Sequence, residues 1–107
     1  MLEKEIERWL GEQMKKLGCL YFKFTSPSNP GVPDRIVITP DGRTIYVELK
    51  TEIGRLSNIQ KWQIERMRAC GADVRRVNGK DEARAFAREV KQICDTHHMT
   101  TSASGSS

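Results

Sequence analysis

The first seventeen residues show a helical pattern of apolar positions. Leucine, isoleucine, tryptophan and methionine side chains recur at steps of three and four over residues 2–17, and Gly18 then follows as a helix stop. Residues 19–24 form a short, aromatic-rich run, which favours a strand. Residues 25–33 are dense in serine, proline, asparagine and glycine, and they are therefore predicted to form a loop.

Two β-branched runs follow, at residues 34–39 and 44–49. Proline, aspartate and glycine separate them, and these residues are typical of a three-residue hairpin loop. If those three residues form the loop, the position numbers of every cross-strand pair sum to 82. This register places Asp34 opposite Glu48.

The second half of the chain is predicted to add a helix, a strand and a further helix. Ser57 is a suitable N-cap for a helix over residues 58–70, and residues 72–77 favour another short strand. Asp81 is a suitable cap for a last helix over residues 82–94. The order α-β-β-β-α-β-α predicts a mixed α/β (α+β) sheet with helices on both faces.

Length and composition indicate one domain, assigned to residues 1–95. The chain has 107 residues, of which 37% are hydrophobic and 30% charged, a balance that suits a soluble packed core. Residues 96–107 are mostly serine and threonine and are predicted to form a disordered tail. Because no apolar run approaches the roughly 18 residues of a spanning helix and no leader is evident, we expect a cytoplasmic protein, neither secreted nor membrane-bound.

Cysteine content and net charge exclude few classes of function. Three cysteines at wide spacing, without a CxxC pair, argue against a zinc site or a disulfide framework, and we expect them to be small buried side chains. The formal net charge of +4 suits a polyanionic partner but lies within the ordinary range for proteins of this size.

The predicted hairpin brings three charged groups together. Directly opposed residues have Cβ atoms about 5 Å apart, so the carboxylates of Asp34 and Glu48 could share one divalent cation. Lys50 lies two residues beyond Glu48 and therefore points to the same face. Facing like charges destabilise a sheet unless a cation is bound. Carboxylates with Mg²⁺ or Mn²⁺ and a nearby lysine are typical of phosphodiester hydrolysis.

A simpler interpretation exists for the same residues. A Glu-x-Lys sequence on a strand is common, and the alternative is an exposed edge pair with Asp34 as a simple turn acid. The hairpin register, which aligns Asp34 with Glu48, favours the nuclease-type site over this alternative.

Three short motifs resemble one nuclease family. The sequences Gly-Val-Pro-Asp at 31–34, Val-Glu-Leu-Lys at 47–50 and Leu-Ser-x-x-Gln at 56–60 resemble the VRR-NUC (virus-type replication-repair nuclease) domain of the PD-(D/E)xK superfamily, in its stand-alone form. The resemblance covers about residues 3–92. It implies a restriction-endonuclease-like αβββαβα core and a setting in a bacterial or phage-infected cell.

The resemblance also implies roles for the charged residues. Asp34, Glu48 and the backbone carbonyl of Leu49 would be ligands of Mg²⁺ or Mn²⁺, and Lys50 would be the catalytic lysine. An acidic residue of the first helix completes such sites, and Glu5 is the matching position.

Helical geometry alone does not choose this acid. Glu5 and Glu7 flank the apolar stripe on opposite sides at similar angles, so Glu7 remains the alternative. Either acid would otherwise be a solvated group at a helix edge. Glu3 and Glu12 are expected on the surface.

Two glutamines of the second predicted helix fall on its apolar arc. Gln60 is expected to face the sheet, and the resemblance places it beside Lys50 as a catalytic group. The alternative is a core glutamine bonded to strand backbone. Gln63 lies on the same arc and is the weaker candidate.

Substrate contacts are expected from polar and basic residues near this site. Ser26 and Asn29 lie in the loop before the first carboxylate, and Arg55 and Lys61 follow the lysine. Other basic residues could also contact phosphates, but most are expected to be solvated: Lys23, Arg35, Arg75 and Arg76. Trp9 and Trp62 are expected in the core rather than on a base-stacking surface.

The sequence thus predicts a Mg²⁺- or Mn²⁺-dependent DNA endonuclease, and the resemblance implies a role in DNA repair. The resemblance also implies a homodimer that cuts branched DNA, such as a four-way (Holliday) junction, and twofold pairs of sites match such two-stranded substrates. The first alternative is a non-catalytic nucleic-acid-binding module with the same fold. The second is a protein-binding partner, for which the sequence offers no evident exposed apolar patch.

Overall fold

Over residues 2–105 the fold has four strands, which form one sheet, and three helices, which pack on both of its faces. The computed structural model describes the backbone of residues 2–105 and the side chains of residues 2–96. The elements are α1 (Glu3–Lys16), β1 (Leu20–Lys23), β2 (Arg35–Ile38), β3 (Thr44–Lys50), α2 (Asn58–Ala69), β4 (Asp73–Asn78) and α3 (Gly79–Gly105). The predicted mixed α/β fold and its element order are confirmed. None of the helices described is long and apolar enough to cross a membrane.

The sheet has the strand order β1-β2-β3-β4. β2 and β3 are antiparallel, with Arg35 opposite Val47, so the predicted hairpin register is confirmed. β3 and β4 are parallel and are connected by α2. Their register places Arg76 beside Glu48 and Asn78 beside Lys50 on one face of the sheet.

The main core lies between the sheet and the helices α1 and α3. Alternate residues of each central strand point into it, as the period of two requires. Its buried members come from both helices and three strands: Ile6, Leu10, Met14, Val37, Ile45, Val47, Leu49, Val77, Phe86 and Val90. On the other face α2 packs on β4, where Ile64 and Val74 are buried.

Several apolar side chains are exposed, against expectation. Leu20 and Phe22 of β1 are about half exposed on the sheet face opposite α1 and α3. Trp62 is also half exposed, and the Arg66 guanidinium lies 4.3 Å from its ring centroid. The prediction of a core position for Trp62 is therefore wrong, because α2 turns this side of the helix to solvent.

The thiols differ in burial. Cys19 is buried with its Sγ 3.8 Å from that of Cys94, which is half-buried, whereas Cys70 at the end of α2 is exposed. The expectation of a buried side chain is therefore wrong for Cys70. All three are free thiols.

The last helix runs further than expected. The prediction ended it at residue 94, whereas the backbone of α3 is helical to Gly105. No glycine or proline stands between these positions, so the sequence contains no strong stop signal. Lys91 and Asp95 form an ion pair of 2.9 Å across one turn. Side chains beyond residue 96 lie outside the described residues, and the predicted tail at 96–107 stays a prediction there.

Gly31 fixes the loop before β2 against the start of α2. Its φ is +87°, and a Cβ at this position would lie 2.8 Å from the carbonyl carbon and oxygen of Ile59. We expect Gly31→Ala to destabilise the fold by about 2 kcal/mol or more, since left-handed strain of about 1–2 kcal/mol is joined by a steric clash. Urea unfolding of the purified variant would measure the loss.

Gly42 provides a matched control for this substitution. Its φ is +85°, but a Cβ there would meet no atom within 4 Å. Gly42→Ala therefore carries the backbone strain without the clash. Equal losses in the two variants would show that the approach of α2 to the loop contributes nothing.

Candidate active site

The carboxylate pair lies where β2 begins and β3 ends. Asp34 immediately precedes β2, and its carbonyl accepts a hydrogen bond of 2.9 Å from the Phe24 amide, which holds it in the sheet. Continuing the observed register, Asp34 faces Glu48. The Lys50 Nζ lies 3.8 Å from the Glu48 Oε2. The structure thus brings together the three charged side chains that the sequence singled out.

Burial perturbs the Glu48 carboxyl. The residue is 7% exposed, and this burial raises its pKa from 4.5 to about 7. The charges of Lys50 and Arg35 oppose the rise, whereas those of Asp34 and Glu3 add to it. A carboxylate that is buried and faces another acid is an incompletely compensated negative charge, and a divalent cation would relieve it.

The raised pKa of Glu48 predicts a pH dependence of stability in metal-free protein. Because the folded-state pKa of about 7 lies above the ordinary value of 4.5, the folded state binds this proton more tightly. The resulting stability is fully present below about pH 4.5 and is lost as the pH rises through about 7. We expect Glu48→Gln to gain stability relative to the unmodified protein between pH 5 and pH 8.

Urea unfolding of both proteins in EDTA at several pH values would measure this difference. Groups that titrate alike in the two proteins cancel, so the difference isolates Glu48. A difference independent of pH would contradict the raised pKa.

Arg35 organises a buried polar cluster that the sequence analysis missed. It is 4% exposed, with its Nη2 2.6 Å from Glu7 and its Nη1 2.6 Å from Asp34. The expectation of a solvated or phosphate-binding Arg35 is therefore wrong. The signal was available, because Arg35 and Val37 alternate on the inward face of β2. The guanidinium fixes Asp34 and links it to the first helix.

The hydroxyl of Tyr21 lies in the same buried region. Burial raises its pKa to about 12, and the Arg35 charge partly offsets this rise. The Tyr21 hydroxyl and the Arg35 Nε have no hydrogen-bond partner among the residues described. The cluster is thus held by its two ion pairs.

The acids of α1 lie in different places. Glu7 pairs with Arg35, and Glu3, one turn before it, lies close enough to Glu48 to raise the pKa of that residue. Glu5 is exposed. The structure therefore brings Glu3 and Glu7 towards the carboxylate pair, and Glu5 as the completing acid stays a prediction. Glu3 and Glu7 are four residues apart and therefore lie on the same face of α1, which could have been recognised from sequence.

The backbone at the end of β3 adds a further oxygen. Continuing the β2–β3 ladder places Pro33 opposite Leu49, at a position where the proline nitrogen would have to donate to the Leu49 carbonyl. Proline has no N–H, so the ladder leaves this oxygen without a donor. This oxygen lies between Glu48 and Lys50 in the chain and could therefore face a cation bound by Glu48.

These groups fit Mg²⁺ or Mn²⁺. Mg²⁺ is commonly bound by one or two carboxylates and keeps several waters. Within the part of the chain that the structure describes, no three acidic, histidine or cysteine side chains form a ready metal cluster. The fit therefore rests on Asp34, Glu48 and the Leu49 carbonyl.

The two glutamines of α2 bond to different groups, and the catalytic role of Gln60 stays a prediction. The Gln60 Oε1 accepts a hydrogen bond of 2.9 Å from the Ser57 amide, and the Ser57 hydroxyl accepts one from the Gln60 amide. This capping box occupies Gln60 at the helix start, so the expectation that it faces the sheet is wrong. Gln63 is buried and donates to the Pro30 carbonyl at 3.1 Å.

The predicted substrate-binding residues lie on loops and on α2, and their role stays a prediction. Ser26 is half-buried and Asn29 is exposed; the Asn29 amide donates to the Ser26 carbonyl at 3.1 Å, and its side chain to Pro27. Arg55 and Lys61 are exposed.

Two residues of β4 lie beside the charged residues of the site. Arg76 and Asn78 are neighbours of Glu48 and Lys50 in the parallel register, and sequence alone could not place them there. Arg75, on the opposite face, is engaged by Asp73 and Glu89.

The chain is similar to proteins of one known family. Residues 5–81 match the family model of the VRR-NUC domain. The chain is 35% identical over 79 residues to "Putative nuclease p44" of Acyrthosiphon pisum secondary endosymbiont phage 1, covering 74% of this chain and 85% of that protein. A solved structure titled "VRR_NUC domain" superposes with a TM-score of 0.68 at 29% identity, covering 87% of this chain and 94% of that one.

The fold, the carboxylate pair and these matches define a protein of the nuclease class. The chain belongs to the VRR-NUC domain family. The resemblance found in the three sequence motifs is thereby confirmed.

Proposed function

We propose that this protein is a Mg²⁺- or Mn²⁺-dependent endonuclease that hydrolyses phosphodiester bonds in DNA. The observation that carries the proposal is the buried Glu48 carboxyl. It faces Asp34, and the Lys50 ammonium lies 3.8 Å from the Glu48 carboxyl. A module that only binds DNA gains nothing from two acids at the place where phosphates approach. This arrangement therefore favours catalysis over the alternative of a non-catalytic binding module.

The residues of the site have distinct tasks in this proposal. Asp34, Glu48 and the Leu49 carbonyl hold the metal, and Arg35 fixes the direction of Asp34 through the 2.6 Å ion pair. When bound, the metal polarises the phosphate and lowers the pKa of water. Lys50 donates a hydrogen bond to the attacking water or to a phosphate oxygen, and its charge stabilises the negative charge that develops there.

Branched DNA, such as a four-way junction, is the proposed substrate, cut by a homodimer. Leu20 and Phe22 of β1, which are about half exposed, form an apolar surface with the half-buried Ile36 and Ile38 of β2. A second copy is the occupant we propose for this surface. Asp34 lies two residues before Ile36 on the same face, so this interface would lie beside the active site of each copy.

The dimer can be tested by light scattering after size-exclusion chromatography. We expect a dimer for the unmodified protein and a monomer for Phe22→Arg, because a charge would be buried at the interface. Lys15→Ala, on the far end of α1, is the control and should remain dimeric. A monomeric unmodified protein, alone and on DNA, would show that this part of the proposal is wrong.

The substrate can be tested with a panel of end-labelled DNAs of equal length. The panel contains a four-way junction, a flap, a linear duplex and a single strand, each incubated with Mg²⁺, Mn²⁺ or EDTA. We expect the junction to be cut fastest, in metal and not in EDTA. Salt-sensitive binding to all four without cutting would instead support the binding module.

A further inference from the structure

The turn between β3 and α2 presents an isoleucine to solvent beside the proposed active site. Ile53 is 90% exposed, more than any other large apolar side chain described. It lies three residues after Lys50. Full exposure of an isoleucine leaves its whole apolar surface in water, which the hydrophobic effect disfavours.

The turn is held firmly by hydrogen bonds. The Gly54 amide donates to the Thr51 carbonyl at 3.1 Å, which closes the turn. The Asn78 side-chain amide donates to both the Thr51 and Gly54 carbonyls, at 3.2 and 2.7 Å. β4 thus fixes both ends of the segment that carries Ile53.

A second anchor fixes the residue before the isoleucine. The Glu52 carboxylate accepts a hydrogen bond of 3.2 Å from the Lys80 amide at the start of α3. The Glu52 side chain lies over Gly79, where a Cβ would clash with it. Ile53 is therefore exposed by a well-anchored turn and not by a loose loop.

The surroundings of Ile53 are polar and carry two cations. A cleft of about 540 Å³ is lined by Glu52, Ile53, Gly54, Arg55, Arg76, Asn78 and Glu82. Both carboxylates in the cleft accept hydrogen bonds from backbone amides, Glu52 from Lys80 and Glu82 from Asn78. Arg55 and Arg76 are exposed. Arg76 of β4 lies beside Glu48 of β3.

This combination fits nucleic acid better than protein. A protein interface needs an apolar patch and roughly 800 Å² from each partner, whereas the residues lining this cleft are mostly charged or polar. A single apolar side chain flanked by the exposed Arg55 and Arg76 matches the wedges that proteins insert between base steps.

We propose that Ile53 is a wedge that inserts between bases at the branch point of a DNA junction. Arg55 and Arg76 bind the phosphates beside the opened step. Insertion is cheapest where stacking is already interrupted, so the wedge selects branched DNA and sets the distance from the branch point to the bond cut at Lys50. This inference rests on the proposed endonuclease function and extends it to the choice of substrate.

The insertion can be measured with 2-aminopurine placed at the branch point of a four-way junction. Its fluorescence rises when a base is unstacked. Binding is measured in the Lys50→Ala background so that the DNA stays intact. We expect a rise on binding that Ile53→Ala loses and Ile53→Leu retains, while Ile59→Ala, another exposed isoleucine of the same region, behaves like the parent.

Cleavage by the variants with an intact Lys50 provides the second readout. We expect Ile53→Ala to cut the junction about tenfold more slowly and a linear duplex within about twofold of the parent, because the wedge acts only at an opened step. A changed position of the cut in Ile53→Ala also supports the wedge.

The wedge and the nuclease function fail in different ways. Normal junction cleavage and an unchanged fluorescence rise with Ile53→Ala would overturn the wedge and leave the nuclease function standing. If the parent protein cuts none of the DNAs in metal, the nuclease function itself fails. Loss of cleavage on junction and duplex alike would also overturn the wedge, since it would assign Ile53 a general role.

Discussion

Lys50→Ala is expected to slow DNA cleavage by about 10²–10³-fold, the usual cost of removing one group that stabilises transition-state charge. The Lys50 side chain is 20% exposed and its Nζ lies 3.8 Å from Glu48, so it contacts the site without being fully buried. The fold should tolerate alanine here. Single-turnover cleavage of a labelled junction at saturating enzyme would measure the effect.

Two comparisons separate chemistry from metal binding. Lys15→Ala removes a lysine at the exposed end of α1 and should leave the rate unchanged. Titration with Mg²⁺ should not restore the rate of Lys50→Ala, because the lysine acts on water or phosphate and is not a metal ligand. If high Mg²⁺ does restore it, Lys50 serves metal binding and its assigned role is wrong.

The second large effect concerns the buried Arg35. Arg35→Met removes the cation between Glu7 and Asp34 and leaves two acids unpaired at the edge of the core. Breaking a buried ion pair in this way typically costs roughly 3–5 kcal/mol. We expect the lower end of that range, since Glu7 and Asp34 are 30% and 47% exposed and can be rehydrated. Urea unfolding would measure it.

Arg75 offers a matched control within the same sheet. Its guanidinium also bridges two acids, Asp73 and Glu89, both at 2.6 Å, but it is 30% exposed. Ion pairs accessible to solvent contribute about 0–1 kcal/mol, so Arg75→Met should cost far less. Equal losses for the two variants would contradict the view that burial gives Arg35 its importance.

The hairpin and its carboxylates could be predicted because both depend on local sequence. A three-residue turn fixes which positions face each other, and the period of two then fixes which side chains share a face. The shared face of Asp34, Glu48 and Lys50 follows from these two rules alone. The order of the elements follows similarly from apolar periodicity and from the glycines and caps at element ends.

The remaining features depend on contacts between distant segments. The role of Arg35 requires the position of Glu7 on α1, and the proximity of Arg76 requires the parallel register of β4. Gln60 follows an apolar arc, yet the local capping box with Ser57 takes its side chain. The exposure of Ile53 depends on Asn78, which is distant in sequence. The capping box is a local pattern that the sequence contains, whereas a single sequence does not show which distant residues Arg35, Arg76 and Asn78 meet.

The most direct test of the central claim is cleavage of a labelled four-way junction by the unmodified protein and by Asp34→Asn, in Mg²⁺ and in EDTA. Asparagine keeps the size of Asp34 but removes the charge that would bind the cation. We expect cutting by the unmodified protein in Mg²⁺, none in EDTA, and none by the variant. Equal cutting by a folded Asp34→Asn variant, or cutting in EDTA, would contradict this expectation.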